Sequence, residues 1–228
     1  MTRATKTQIN QRDTHRLIPA QFAERRDPAL SKLTKDSDIY DELVELDDAT
    51  HDRLLSESGL VAGIDARELV FGIPSYRIIN AAYCHPAPTG SRFNSSDRGA
   101  WYAAFELETS QAEVAYHRRL WLQETAWEDE DVADYVDYLA DFCAEFHDIR
   151  GSKEHADCLS PKSYVASQAL GSWLLKSGSA GIVYPSVRRP GGTCIVCFRP
   201  VLVTNLRIGR TLRFIFVNPR SVPKVTRI

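Results

Sequence analysis

From Tyr138 to His147 the chain alternates. Tyr138, Ala140, Phe142, Ala144 and Phe146 interleave with Leu139, Asp141, Cys143, Glu145 and His147. A mostly period-two pattern puts one set of side chains on a core face and the other towards solvent, so this run reads as a half-buried β-strand. Such a strand needs neighbours, and short apolar runs supply them. Glu68 to Ile73, Tyr76 to Ala82, Ala100 to Phe105, Gly181 to Pro185, Thr193 to Arg199 and Leu212 to Val217 all read as strands. Pro190-Gly191-Gly192 is a turn signal between two of them, and Pro86 to Gly99, rich in Pro, Gly, Ser and Asn, reads as a loop.

Helical spacing is rarer. It marks Asp38 to Leu55, Ser110 to Leu122, and Tyr164 to Lys176 with a stop near Gly178. Residues 1–35 are polar and basic and read as partly irregular. Many strands and few helices in mixed order give an α+β class. Residues 1–65 read as a partly helical N-terminal extension, and 66–228 as the main domain.

The chain has 228 residues, 43% of them hydrophobic and 25% charged, enough for one sizeable core. A net charge of −2 argues against a generic nucleic-acid binder. No apolar run approaches the roughly 20 residues that cross a bilayer, and no secretory signal is visible. Five cysteines at irregular spacing fit a reducing cytoplasm. Charge is unevenly placed: residues 123–157 hold 12 acidic and 2 basic residues, while 158–228 hold 11 basic and no acidic ones. Either the two regions face each other or both are solvated, or the basic third meets an anionic ligand or an acidic partner.

The residues that speak to chemistry lie between 76 and 113. Arg77 follows Tyr76 in an apolar run. Arg92 lies in Gly90-Ser91-Arg92-Phe93-Asn94, a loop able to leave backbone N–H groups for an anion. Tyr102 follows Trp101, and Glu113 lies in Ser110-Gln111-Ala112-Glu113. Arginine is a permanently charged fork for phosphate. Tyrosine offers a flat face to a ring, and a carboxylate steadies a developing cation. Each has a plainer reading. The arginines suit a surface and the aromatics a core, and Ser110 to Glu113 fits a capping box with Glu113 at its third helical position. His117, four residues after Glu113, shares its helix face. Cys194-Ile-Val-Cys197 has zinc-like spacing, but residues three apart on a strand point to opposite faces and no second pair exists.

In order and spacing these motifs resemble the RES-domain family, many of whose members are toxins of bacterial toxin–antitoxin pairs. The resemblance rests on Tyr76-Arg77, Gly90 to Asn94, Tyr102-Ala103-Ala104, Glu113, Ser167 to Gly171 and Val183-Tyr184-Pro185-Ser186. Arg16-Leu17-Ile18-Pro19-Ala20 is similar to an N-terminal extension found in one branch. Ser91 stands for the family's second loop glycine and Phe93 for its tryptophan. The resemblance implies an ADP-ribosyltransferase-like mixed β core with flanking helices over residues 66–228. It implies cleavage of the nicotinamide–ribose bond of NAD, a substrate here and not a cofactor, with inorganic phosphate or water as acceptor. Arg77, Arg92 and Glu113 are the expected catalytic residues. Asn94, Tyr102, Ser167 and Ser186 are expected at the substrate, with Ser163 as an alternative hydroxyl. The implied partner is a cognate antitoxin with a DNA-binding domain, in a complex that could be oligomeric, with neither direct nucleic-acid binding nor membrane association. Two other classes stay open: ADP-ribosyl transfer to a macromolecule, and a non-catalytic interaction protein using the basic C-terminal third.

Overall fold

The computed structural model describes residues 4–23, 34, 39, 42, 43, 46 and 63–228. In chain order its main elements are β1 (Thr5–Pro19), α1 (Tyr76–Cys84), β2 (Trp101–Ala104), α2 (Leu107–Glu124), β3 (Asp131–Asp148), α3 (Val165–Lys176), β4 (Gly181–Pro185), β5 (Thr193–Cys197), β6 (Thr204–Phe216) and β7 (Lys224–Arg227). This is a mixed α+β architecture on a seven-stranded sheet ordered β1-β2-β5-β4-β3-β6-β7. No helix among the described residues is long and apolar enough to cross a membrane.

The alternating run is the spine. β3 pairs antiparallel with β1 from Thr5↔Asp148 to Pro19↔Tyr135. It also pairs antiparallel with β6, and parallel with β4 at His147↔Ile182 and Asp148↔Val183. β1 touches β2 at His15↔Ala104, so β1, β2, β5, β4 and β3 close a ring, with β6 and β7 added outside it.

Side-chain alternation on β2 and β5 then sorts two cores. Trp101, Ala103, Ile195 and Cys197 pack with Ile79 and Tyr83 of α1. Tyr102, Ala104, Cys194 and Val196 pack with Phe93, Tyr184 and the α3 residues Leu170 and Leu174. Cys194 and Cys197 thus lie in different cores, as their spacing on a strand requires. A third cluster joins Leu17, Tyr135, Phe214 and Phe216 to Leu122, Val114 and Ala115 of α2.

Several elements depart from the sequence reading. Within the stretch read as partly irregular, Thr5–Pro19 is a 15-residue strand, and β3 supplies hydrogen-bond partners that no local pattern reveals. Tyr76 to Ala82 is the body of helix α1. Its buried residues Tyr76, Ile79, Asn80 and Tyr83 follow helical spacing, which the β-branched pair Ile78-Ile79 disguises. Asn80 fixes the helix in place by accepting from Val70 N and donating to Val70 O. Before it, Ala66–Glu68 is a 3-10 turn with Asp65 in a capping box, and Glu68 receives Arg98 and Arg199. β6 begins eight residues before the expected Leu212, and β7 was not expected. The helix expected over Asp38 to Leu55 lies mostly outside the described residues; Ile39, Glu42, Leu43 and Leu46 are described and helical.

Helix α3 ends as expected. Gly178, at φ +80°, sends its N–H to Leu175 O, and Ser179 N–H reaches Leu174 O, a Schellman stop. The same helix holds the arginine loop at close range. A Cβ on Gly171 would lie 1.9 Å from the Phe93 carbonyl oxygen. Gly171→Ala should therefore push α3 off the loop and cost about 1–3 kcal/mol, the range for overpacking. Urea denaturation checks this, and an unchanged midpoint would mean that the helix shifts freely.

Candidate functional site

Glu113 belongs to the second turn of α2. The helix starts at Leu107, three residues before Ser110, so Ser110 is helical and sends its own N–H to Glu106 O. The capping box read from Ser110 to Glu113 therefore does not form, and the Glu113 carboxylate is available elsewhere. It accepts the Ser186 hydroxyl at 2.7 Å and the Cys194 thiol at 3.8 Å, both on Oε1. Burial, with the Glu113 charge beside it, pushes the Cys194 thiol well up, so it stays protonated and keeps its role as donor.

Ser186 does more than meet Glu113. Its Oγ accepts the backbone N–H groups of Arg188 at 3.1 Å and Arg189 at 3.0 Å, and its own N–H bonds Gly192 O. One hydroxyl thus ties the β4–β5 connection to α2. Ser167, the other candidate hydroxyl, is fully buried and donates to Tyr164 O inside the start of α3.

Arg92 is buried. Its Nη1 donates to the carbonyls of Cys158 and Ser160, and its guanidinium lies 4.8 Å from the Tyr164 ring centroid. Its loop is held from several sides. Gly90 supplies φ +71° where a Cβ would collide with Asn94 O. Gln168 Nε2 donates to Thr89 O and Ser91 O. The Tyr102 hydroxyl accepts Phe93 N–H and donates to Asn94 Oδ1, while Asn94 Nδ2 reaches Arg98 O. Tyr102 and Asn94 are therefore loop supports as well as candidate contacts. Burial raises the Tyr102 phenol, against the Phe93 N–H and the Arg92 and Arg16 charges.

Bonds place Arg92 and Glu113 in one neighbourhood: Ser186 joins Glu113 to Arg188, and Arg188 and Arg92 both bond the 158–161 segment. Burial raises Tyr184, further raised by Cys194, Tyr102 and Glu113 and opposed by Arg92. His117 keeps an open face to solvent, yet the protein crowding its ring lowers its pKa, with Glu113 opposing and Arg188 and Arg92 adding to the fall. Arg92, Tyr102, Glu113 and Ser186 thus come together with Asn94, while Ser167 stays in its helix. Arg77 lies in the first turn of α1, half-buried, on a helix and not after a strand start.

The arginine beside Tyr102 is a different one. Arg16 of β1 donates from Nη1 to Tyr102 O at 3.1 Å and lies 4.7 Å from the Trp101 ring centroid. Its Nε is out of solvent without a hydrogen-bond partner. Burial lowers its pKa to about 10, which leaves it charged at neutral pH. It lines a cleft of about 310 Å³ with Ile18, Ile78, His85, Asn94 and Tyr102. Arg92, Glu113 and Ser186 are not on that wall, so the cleft adjoins their cluster across Tyr102 and does not contain it. Arg16 was missed as a site residue because it falls in a stretch read as irregular. Arg188 carries no local signal, and Cys194 stands out only by a zinc-like spacing unrelated to its contact with Glu113.

The sequence profile of the RES domain matches residues 69–216, and the chain belongs to that family. No curated protein sequence matches it. Among solved structures, a chain of the M. tuberculosis MbcT–MbcA toxin–antitoxin complex is similar, at 15% identity and a TM-score of 0.47, over 90% of this chain and 85% of that one.

Ser186→Ala removes one donor and one acceptor shared by two amides. It should cost about 1–3 kcal/mol of stability by leaving part-buried groups unpaired. Ser186→Thr should recover most of that. Equal denaturation midpoints for wild type and the Ala variant would show that the Ser186 bonds hold nothing.

Proposed function

We propose that this RES-family chain is an NAD-cleaving toxin that breaks the nicotinamide–ribose bond, with phosphate or water as acceptor. The observation that carries the reading is the Glu113 carboxylate, held by Ser186 and Cys194, with Arg92 held near it. Breaking this bond passes through an oxocarbenium-like state, and the leaving group is already cationic, so no strong general acid is required.

The division of labour follows from charge and shape. Arg92 has Nη1 engaged on two carbonyls, and no described residue accepts from its Nε or Nη2. Those N–H groups suit an oxygen of the diphosphate. Arg16 offers a further cation beside the one expected of Arg77, through its contact with the Tyr102 carbonyl. Glu113 Oε1 is oriented by Ser186, which leaves Oε2 for a ribose hydroxyl and the growing positive charge. The buried, unionised Tyr102 supplies a ring wall.

Family membership adds a cognate antitoxin with a DNA-binding domain as the neutralising partner. Against a non-catalytic role for the basic C-terminal third, Arg207 and Arg213 are spent inside the sheet on Asp141 and Asp134. β3 and β6 therefore bring the acidic and basic halves face to face.

Purified protein mixed with NAD, with and without phosphate, should release nicotinamide. Mass spectrometry then identifies ADP-ribose-1-phosphate, free ADP-ribose, or ADP-ribose on protein. NAD that stays intact in every arm ends the proposal. Glu113→Gln keeps an acceptor for Ser186 but loses the charge. Its turnover should collapse while its melting temperature and NAD affinity stay near wild type, and a normal rate would remove Glu113 from the chemistry. Arg92→Lys keeps charge without the fork and should lose about tenfold or more in kcat/KM, as expected when a contact worth about 1.5–3 kcal/mol is lost. Retained activity would make Arg92 a structural anchor of residues 158–160.

A further inference from the structure

Many described arginines are neutralised by a carboxylate; Arg188 is not. Arg98, Arg118, Arg150, Arg199, Arg207 and Arg213 each meet a carboxylate. Arg188 and Arg92 meet none among the described residues. Both instead grip backbone carbonyls of one short segment: Arg92 takes Cys158 O and Ser160 O, and Arg188 Nη2 takes Pro161 O at 3.0 Å. Arg188 Nε is out of solvent with no hydrogen-bond partner. Two guanidiniums are thus anchored on one segment with no carboxylate bonded to either among the described residues, an arrangement that suits an anion.

The placement is rigid. The Arg188 guanidinium lies 3.3 Å from the centroid of the Tyr116 ring, and its backbone N–H is held by Ser186 Oγ, the same oxygen that meets Glu113. Glu113, Tyr116 and His117 fall at helical spacing on one stripe of α2. The charges of both arginines act on His117, together with that of Glu113. The stripe, the Ser186 connection and the arginine loop thus converge on one small volume.

We propose that Arg188 and Arg92, with His117 at the margin, form a cradle for a phosphate oxyanion beside Glu113. The forked, planar guanidinium fits a tetrahedral oxyanion in two-point contact. That oxyanion belongs either to the diphosphate of the dinucleotide or to free inorganic phosphate. The role of Arg188 in turnover rests on the NAD-cleaving reading; its affinity for the oxyanion does not.

The test is calorimetric titration of the full chain, in phosphate-free buffer, with inorganic phosphate, pyrophosphate and NAD, for wild type, Arg188→Gln and Arg188→Lys. Circular dichroism checks folding, and Arg188→Lys, which keeps the charge, decides alone if the Gln variant does not fold. Arg188→Gln should weaken phosphate or pyrophosphate by about tenfold, with a smaller loss for Lys. Loss confined to inorganic phosphate identifies the acceptor side. Loss on pyrophosphate and NAD identifies the diphosphate. The cradle is overturned if wild type binds neither anion at millimolar concentration, or if both affinities in the variant stay within about threefold of wild type, less than a lost bidentate contact produces. Arg188-dependent anion binding in a protein that leaves NAD intact keeps the cradle and ends the NAD reading. NAD cleavage with anion affinities indifferent to Arg188 does the reverse.

Discussion

The ladder between β1 and β3 is the constraint on which the rest depends. β3 uses one edge for β1 and divides the other between β6 and β4. That arrangement fixes which faces of β2, β4 and β5 look towards α1 and which look towards α3. It also delivers Arg16 from the far N-terminal end of the chain to Tyr102. An arginine stacked on Trp101 with a desolvated Nε keeps its position only if the backbone beneath it is fixed, and thirteen paired positions along the ladder fix it.

On the α3 face, three segments distant in sequence become one site because each is tied to another by its own polar groups. Gln168 binds the carbonyls of Thr89 and Ser91, and Gly171 lets the helix backbone approach Phe93. Arg92 and Arg188 bind the chain just before α3. Ser186 joins the β4–β5 connection to Glu113. These bonds are side chain to backbone in most cases, so they set loop shape directly. Groups positioned by such a mesh need little reorganisation when a charged ligand arrives.

The sequence made the strand periodicities legible where one face is core and the other solvent, as in Tyr138 to His147, and it made the stop of α3 legible through Gly178. It misled at Tyr76 to Ala82, where β-branched residues sit on a helix because the Asn80 clamp and the core contacts of Ile79 and Tyr83 outweigh local preference. At Ser110 the capping pattern was present in the letters but not in the backbone, since Leu107 to Thr109 already continue the helix. The arginine loop, Tyr102, Glu113 and Ser186 were legible as a set because the family's motif order survives in them. Arg16 and Arg188 were not. Arg16 depends on a long-range ladder, and Arg188 shows itself only through what it lacks, a carboxylate.

That last point explains the electrostatic design. Several arginines are neutralised where they stand, as Arg213 of β6 is by Asp134 and Arg118 of α2 by Asp131. Such pairs cost little and do little. Around Tyr102 the chain instead keeps Arg16, Arg92 and Arg188 on carbonyls and aromatic rings, contacts that position a cation without cancelling it. Glu113 is engaged by two neutral donors, a hydroxyl and a thiol, whereas nearby Glu106 meets Arg189. A fold that separates charges of opposite sign this way holds them for a ligand that carries both: an anionic diphosphate for the guanidiniums and a sugar turning cationic for the carboxylate.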